Sequence, residues 1–185
     1  CYTAKKNGRN RLHVYQADDR DLAQQRSEIE WIARLNQAIA SPQELEPAEN
    51  QFRLYYQPIL PLTSQVMETH YEVLLRLIDD TGTCIAPMAF LPAAERYNLM
   101  PTVDRWVIRT FFAMISSQSS DLRTQYAINL SGASVNDEQF IDFVKEQFDI
   151  HRISPQLICF EITETVAIAN LSQAAQLIHK LRTLG

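Results

Sequence analysis

From residue 51 onward, short stretches that alternate apolar and polar residues take turns with longer stretches whose apolar residues recur at helical spacing. The extended stretches are "FRLYYQPI", "HYEVLLRL", "QYAINLS" and "QLICFEIT"; the helical ones lie near 87–98, 101–118, 137–149 and 170–184. Strands alternating with helices predict an α/β fold, a mainly parallel sheet with helices packed on it. Upstream, Leu22, Ile29, Ile32, Leu35 and Ile39 predict one long amphipathic helix ending near residue 40, with Asp18, Asp19 and Asp21 as candidates to cap its start. The polar segment "SPQELEPAEN" at 41–50 reads as a linker. Neither GxGxxG nor GxxxxGK[ST] occurs, so the usual glycine-rich phosphate loops are excluded.

Side chains of a strand alternate between two faces, so each strand divides by parity. In "HYEVLLRL", Tyr71, Val73, Leu75 and Leu77 form an apolar stripe, and His70, Glu72, Leu74 and Arg76 lie opposite. Tyr126, Ile128 and Leu130 leave Ala127, Asn129 and Ser131 on the other face; Ile158, Phe160 and Ile162 oppose Leu157, Cys159, Glu161 and Thr163; Gln57 opposes Tyr56. Separate strands thus offer Gln57, Glu72, Asn129 and Glu161, each away from an apolar stripe. Glu161 is the most demanding, because a carboxylate inside an apolar run is strongly unfavourable without a compensating charge. A cation would supply that charge, and two carboxylates with an amide carbonyl are the hard oxygen ligands that Mg²⁺, Mn²⁺ or Ca²⁺ prefers. In a barrel the apolar stripes meet the surrounding helices, and polar residues near strand C-termini converge at the mouth.

The same residues have plainer readings. Glu72 could pair with Arg76 on its own face, Asn129 could cap a strand end, and Gln57 before Pro58 could be a loop-edge group. Asp79 and Asp80 before Thr81 and Gly82 read as turn chemistry. His13, His70, His151 and His179 show no metal spacing.

A net charge of -5 argues against a nucleic-acid polymer as partner, which needs clustered Lys and Arg. Cys1, Cys84 and Cys159 are odd in number and form no CxxC, which fits a reducing, cytoplasmic setting rather than a disulfide framework. No run approaches the roughly 18 apolar residues of a membrane span, so no membrane contact is expected of this piece. A chain that starts at Cys1 and stops at "LRTLG" reads as cut from a longer protein, which could carry an anchor elsewhere.

The ordered series "LYYQPI", "YEVLLRL", "APMAFLPAAERYNLM", "VDRWVI", "AINLS" and "FEITET" resembles the EAL domain family, phosphodiesterases that hydrolyse cyclic di-GMP on a modified TIM-type (β/α)₈ barrel. The resemblance runs from about residue 26 to the end. "CYTAKKNGRNRLHVY" at Cys1 to Tyr15 resembles the last turn and strand of a GGDEF (diguanylate cyclase) domain without its signature. The expected organisation is therefore a GGDEF remnant at 1–17, a helix and linker at 18–50, and the N-terminal half of an EAL domain at 51–185.

The resemblance implies that Glu72, Asn129 and Glu161 are metal ligands and catalytic residues in a two-metal site for Mg²⁺ or Mn²⁺, with Ca²⁺ as an inhibitory or substitute ion. It implies that Gln57 and Arg76 contact the dinucleotide, that Leu74 lines its groove and that Pro92 borders it. Glu164 matches the second glutamate of "EITE", with its role open. The tripeptide reads Glu72-Val73-Leu74 instead of Glu-Ala-Leu; Val73 faces away from Glu72, so the change adds bulk against the helices and leaves the ligand in place. The family's later Asp-Asp-Phe-Gly stretch, lysine, glutamate and glutamine do not occur, and four readable strands stand against the eight of a closed barrel.

The implied activity is that of a parent protein, hydrolysis of cyclic di-GMP to pGpG, with this piece inactive by itself and a homodimer as its expected state. The rival implication is a catalytically degenerate receptor for cyclic di-GMP; a third is a dimerisation module.

Overall fold

The structure, a computed structural model, describes residues 20–40, 51–62, 69–117 and 124–185, with side chains from residue 29. The GGDEF-like segment, the capping aspartates Asp18 and Asp19 and the 41–50 linker lie outside the described residues.

The first helix, α1, spans Arg20–Ala40. Its contact stripe runs through Trp31, Leu35 and Ala38, a spacing of four and then three residues. Leu35 and Ala38 are fully buried and Trp31 meets the Phe90 ring at 6.3 Å. Ile29, expected on the stripe, lies off it and is 63% exposed.

Strand β1 (Gln51–Ile59) pairs antiparallel with β2 (Thr69–Ile78). A parallel pair needs a crossover of a dozen or more residues, and the connection here is only 60–68, so the chain can only double back. The expected mainly parallel sheet is thus mixed: β4 (Thr124–Asn129) and β5 (Ile158–Glu161) run parallel to β2, in the order β1-β2-β4-β5. A two-residue strand β3 (Cys84–Ile85), unforeseen from the sequence, folds back on the end of β2. The turn before it is closed by Asp79, whose carboxylate accepts from the backbone N–H of Thr81 and Thr83, while Gly82 takes the left-handed φ of 80° that the turn needs. These bonds hold the Asp79 carboxyl below its usual range, led by the Thr81 hydroxyl.

Helices α2 (Pro87–Arg96) and α3 (Met100–Ser116) connect β2–β3 to β4. Between β4 and β5 run α4 (Gly132–Val135), α5 (Phe140–His151) and a 3₁₀ turn at Pro155–Leu157; α6 (Glu164–Ala169) and α7 (Leu171–Leu184) follow. These helices cover the apolar stripes predicted by parity. Val73, Leu77, Ile128 and Leu130 of that face are buried. Phe111 of α3 lies at the centre, fully buried, with ring centroids 5.0 Å from Tyr126 and 6.0 Å from Tyr56. Strands β1 and β5 are the outer strands of the sheet among the described residues. No helix there is long and apolar enough to cross a membrane.

Candidate functional site

The face of the sheet turned away from these helices carries the residues singled out by parity. On β1 it presents Arg53, Tyr55 and Gln57; on β2 Glu72, Leu74 and Arg76; on β4 Ala127 and Asn129; on β5 Cys159 and Glu161. The register aligns them. Gln57 stands opposite Glu72, Tyr55 opposite Leu74, Arg53 opposite Arg76, Glu72 beside Ala127, and Asn129 beside Glu161. Gln57, Glu72, Asn129 and Glu161 therefore form one oblique row across four strands.

The row is held together by its own bonds. Asn129 Nδ2 donates to Glu72 Oε1 at 2.8 Å, so Glu72 is tied to its neighbour strand and not to Arg76. With its amide nitrogen committed, Asn129 keeps its carbonyl oxygen Oδ1 without a hydrogen bond among the described residues. Glu161 likewise has no hydrogen bond or ion pair there, while its backbone carbonyl accepts from Leu130 N at 2.8 Å. The Glu161 side chain is exposed at the end of β5, so the burial that made it a puzzle in the sequence does not arise. Two residues earlier on this face, burial pushes the Cys159 thiol above its usual range, and the Glu161 charge adds to the effect.

Two expectations need correction in detail. Gln57 is not at a loop edge: it lies within β1, and the antiparallel direction of β1 brings it level with Glu72. Glu72 lies in the first half of β2 rather than near its C-terminus, because β2 runs on beyond its contact with β4 to pair with β1 and β3. Asn129 and Glu161 do close their strands. Arg76 lies four residues beyond Glu72 on the same face, with Nη1 donating to the Leu75 carbonyl at 2.8 Å. Leu74 sits between them, half-buried. Pro92 is exposed within α2, and no hydrogen bond or ion pair ties it to the row. Glu164 is in the first turn of α6, where a carboxylate suits the positive end of the helix; Thr163 caps that helix by accepting from Val166 N at 3.4 Å.

Sequence reading missed three residues that the fold brings to this region. Arg53 and Tyr55 share the parity of Gln57, a signal visible in "FRLYYQPI". Asp104 has no such signal. It lies in α3, 5% exposed, and its Oδ2 accepts from the backbone N–H of Ser131 at 2.9 Å, two residues past Asn129. Ser131 in turn caps α4 by accepting from Ser134 N at 3.3 Å. Next to it, Arg105 Nη2 bonds Asp137 Oδ2 at 2.6 Å and lies over the Phe143 ring, fixing α3 against the start of α5.

Burial raises the pKa of Asp104 against the lowering effect of its bonds to Ser131 and Ser134. A raised carboxyl pKa favours folding while the proton is on, so this contribution is full below the unfolded value of about 3.9 and fades as pH rises through the folded value. Asp104→Asn keeps an acceptor for Ser131 without the buried charge. Its expected melting temperature therefore gains on wild type as pH goes from 4 to 7, as followed by thermal unfolding across that range. Asp104→Ala, which strands the Ser131 N–H, should lose about 1–3 kcal/mol.

The oxygens present fit part of a divalent-cation site: two carboxylates and one amide carbonyl are hard donors on one face. The described residues contain no group of three or more His, Cys, Asp or Glu that could hold an ion.

The chain is an α/β fold whose mixed sheet carries Gln57, Glu72, Asn129 and Glu161 on the face turned away from the helices. Residues 32–185 match the family model described as EAL domain. The chain belongs to the EAL domain family. It is 39% identical over its whole length to cyclic di-GMP phosphodiesterase PdeB of Shewanella oneidensis and 34% identical to biofilm architecture maintenance protein MbaA of Vibrio cholerae. It spans only 21% and 22% of those two proteins. Among solved structures it is similar to the FimX EAL domain from Pseudomonas aeruginosa bound to c-di-GMP, with a TM-score of 0.72 and 32% identity over 84% of this chain and 59% of that one. EAL neighbours of this kind have a TIM-like fold, and this chain carries its α/β character and parallel-sheet core.

Proposed function

We propose that this chain supplies part of the active site of a phosphodiesterase that hydrolyses one phosphodiester bond of cyclic di-GMP, giving pGpG. The observation that carries the reading is the convergence of Glu72, Asn129 and Glu161 from separate strands, with the Asn129 amide turned to Glu72 and its carbonyl without a hydrogen bond among the described residues. The similarity to PdeB supports the same substrate.

In this reading Glu72, Asn129 Oδ1 and Glu161 would hold Mg²⁺ or Mn²⁺. A bound divalent cation supplies a lowered pKa for water and stabilises charge on the phosphoryl oxygens. Glu72 and Glu161 hold negative charge at one end of the sheet, so an anionic substrate cannot settle there unless that charge is offset. The Asn129 bond fixes the Glu72 carboxylate so that little reorganisation is needed when the phosphate arrives. Gln57, opposite Glu72, and Arg76, further along β2, orient the nucleotide; an arginine can bond two phosphate oxygens at once. Leu74 beside Tyr55 offers an apolar surface for a base. In the reaction, the water oxygen bonds to phosphorus as the P–O3′ bond breaks, and a water proton ends on O3′. A homodimer in the cytoplasm belongs to the same reading.

The test is chromatography of cyclic di-GMP incubated with a full-length protein carrying this chain, with Mg²⁺ or Mn²⁺ added and then removed by chelation. Metal-dependent appearance of pGpG is expected. Tight binding without turnover would replace the enzyme reading with the receptor one.

A further inference from the structure

We propose that Arg53 forms, with Arg76, a two-arginine grip for the phosphate of the cyclic dinucleotide that is not hydrolysed. The proposal rests on the reading of Arg76 as a substrate contact. Arg53 and Arg76 are direct partners across the antiparallel β1–β2 pair and point to the same face as Glu72. Like charges opposed in this way destabilise a sheet. Among the described residues neither forms an ion pair with a carboxylate. Each is instead steadied by a neutral acceptor: Arg53 Nη2 donates to Gln51 Oε1 at 3.0 Å, and Arg76 Nη1 to the Leu75 carbonyl at 2.8 Å. Both guanidiniums are thus positioned, and among the described residues each keeps unused donors.

The chemistry of the substrate matches this arrangement. A cyclic dinucleotide carries two phosphodiesters, and only one can lie at the Glu72 row at a time. Four residues of strand separate Glu72 from Arg76, about 13 Å between their Cα atoms at the usual rise, and the long arginine side chains shorten that gap. Between them, Leu74 and Tyr55 leave an apolar floor. Two guanidiniums together present several donors in planar forks, which suits a phosphate better than a single lysine would.

The experiment uses a full-length protein carrying this chain and cyclic di-GMP as the probe. Steady-state kinetics and the ligand-induced shift in melting temperature are measured for wild type, Arg53→Gln, Arg53→Lys and Arg76→Gln. Arg53→Gln should raise KM about tenfold, as loss of one charge-assisted contact does, with kcat within twofold. It should also shrink the ligand-induced melting shift and weaken the dependence of KM on salt. Arg53→Lys should fall between Arg53→Gln and wild type. A KM and melting shift unchanged in Arg53→Gln, beside a raised KM in Arg76→Gln, would overturn the grip and leave the functional reading standing. A wild-type protein that neither binds nor cleaves cyclic di-GMP would instead overturn that reading and the grip with it.

Discussion

Glu72→Gln, in a full-length protein carrying this chain, is expected to lose cyclic di-GMP hydrolysis by roughly 10³-fold or more, because a neutral amide in place of a charged ligand forfeits several kcal/mol of transition-state stabilisation. The substitution is nearly isosteric and Glu72 is only half-buried, so the fold should be unaffected. The bond to Asn129 separates this outcome from a structural one. The glutamine introduced by Glu72→Gln can still accept from Asn129 Nδ2 through its own carbonyl oxygen, so the row keeps its shape while losing charge. Asn129→Ala, by contrast, removes both a donor oxygen and the bond that holds Glu72. Circular dichroism and the melting curve of Glu72→Gln should match wild type while initial rates collapse. Rates retained within a few-fold would remove Glu72 from the catalytic set.

Phe111→Ala should have the largest effect on stability, a loss of about 3–5 kcal/mol. Phe111 is fully buried and ties its helix to the strand layer through Tyr56 and Tyr126, at 6.0 and 5.0 Å between ring centroids. Removing the ring leaves a cavity where β1, β4 and α3 meet, and aromatic neighbours of fixed shape collapse poorly into it. A domain is ordinarily stable by only about 5–15 kcal/mol, so the variant should approach the unfolding threshold. Met88→Ala is the control: Met88 is 84% exposed, and its expected change is within about 0.5 kcal/mol. Urea unfolding of both variants checks the difference. A Phe111→Ala midpoint as close to wild type as that of Met88→Ala would contradict the packing described.

What could be read from the chain depended on whether the signal was local. Strand parity placed Val73 and Leu77 against the helices and Glu72 and Arg76 opposite, because alternation is a property of neighbouring residues. The register was not local. That Gln57 faces Glu72, and Asn129 faces Glu161, depends on strand direction and offset, which alternation leaves open. The short 60–68 connection did contain the direction of β1, since it is too brief for a crossover. Asp104 was beyond reach, because its partner is a backbone N–H contributed by Ser131, and nearly every residue has one of those. Brief elements such as β3 and α4 carry too few residues for a period to show. Glu161 misled for a related reason: its apolar neighbours suggested burial, whereas it is the final residue of β5 and emerges from the sheet.

The central claim is that Glu72, Asn129 and Glu161 bind one divalent ion from one face of the sheet. The most direct measurement is an anomalous difference map from crystals of a full-length protein carrying this chain, grown with Mn²⁺ and cyclic di-GMP. The expected result is a peak within about 2.0–2.6 Å of oxygens from all three side chains, the range of hard-cation contacts. A peak ligated by other residues, with Glu72 and Glu161 turned apart, would contradict the account.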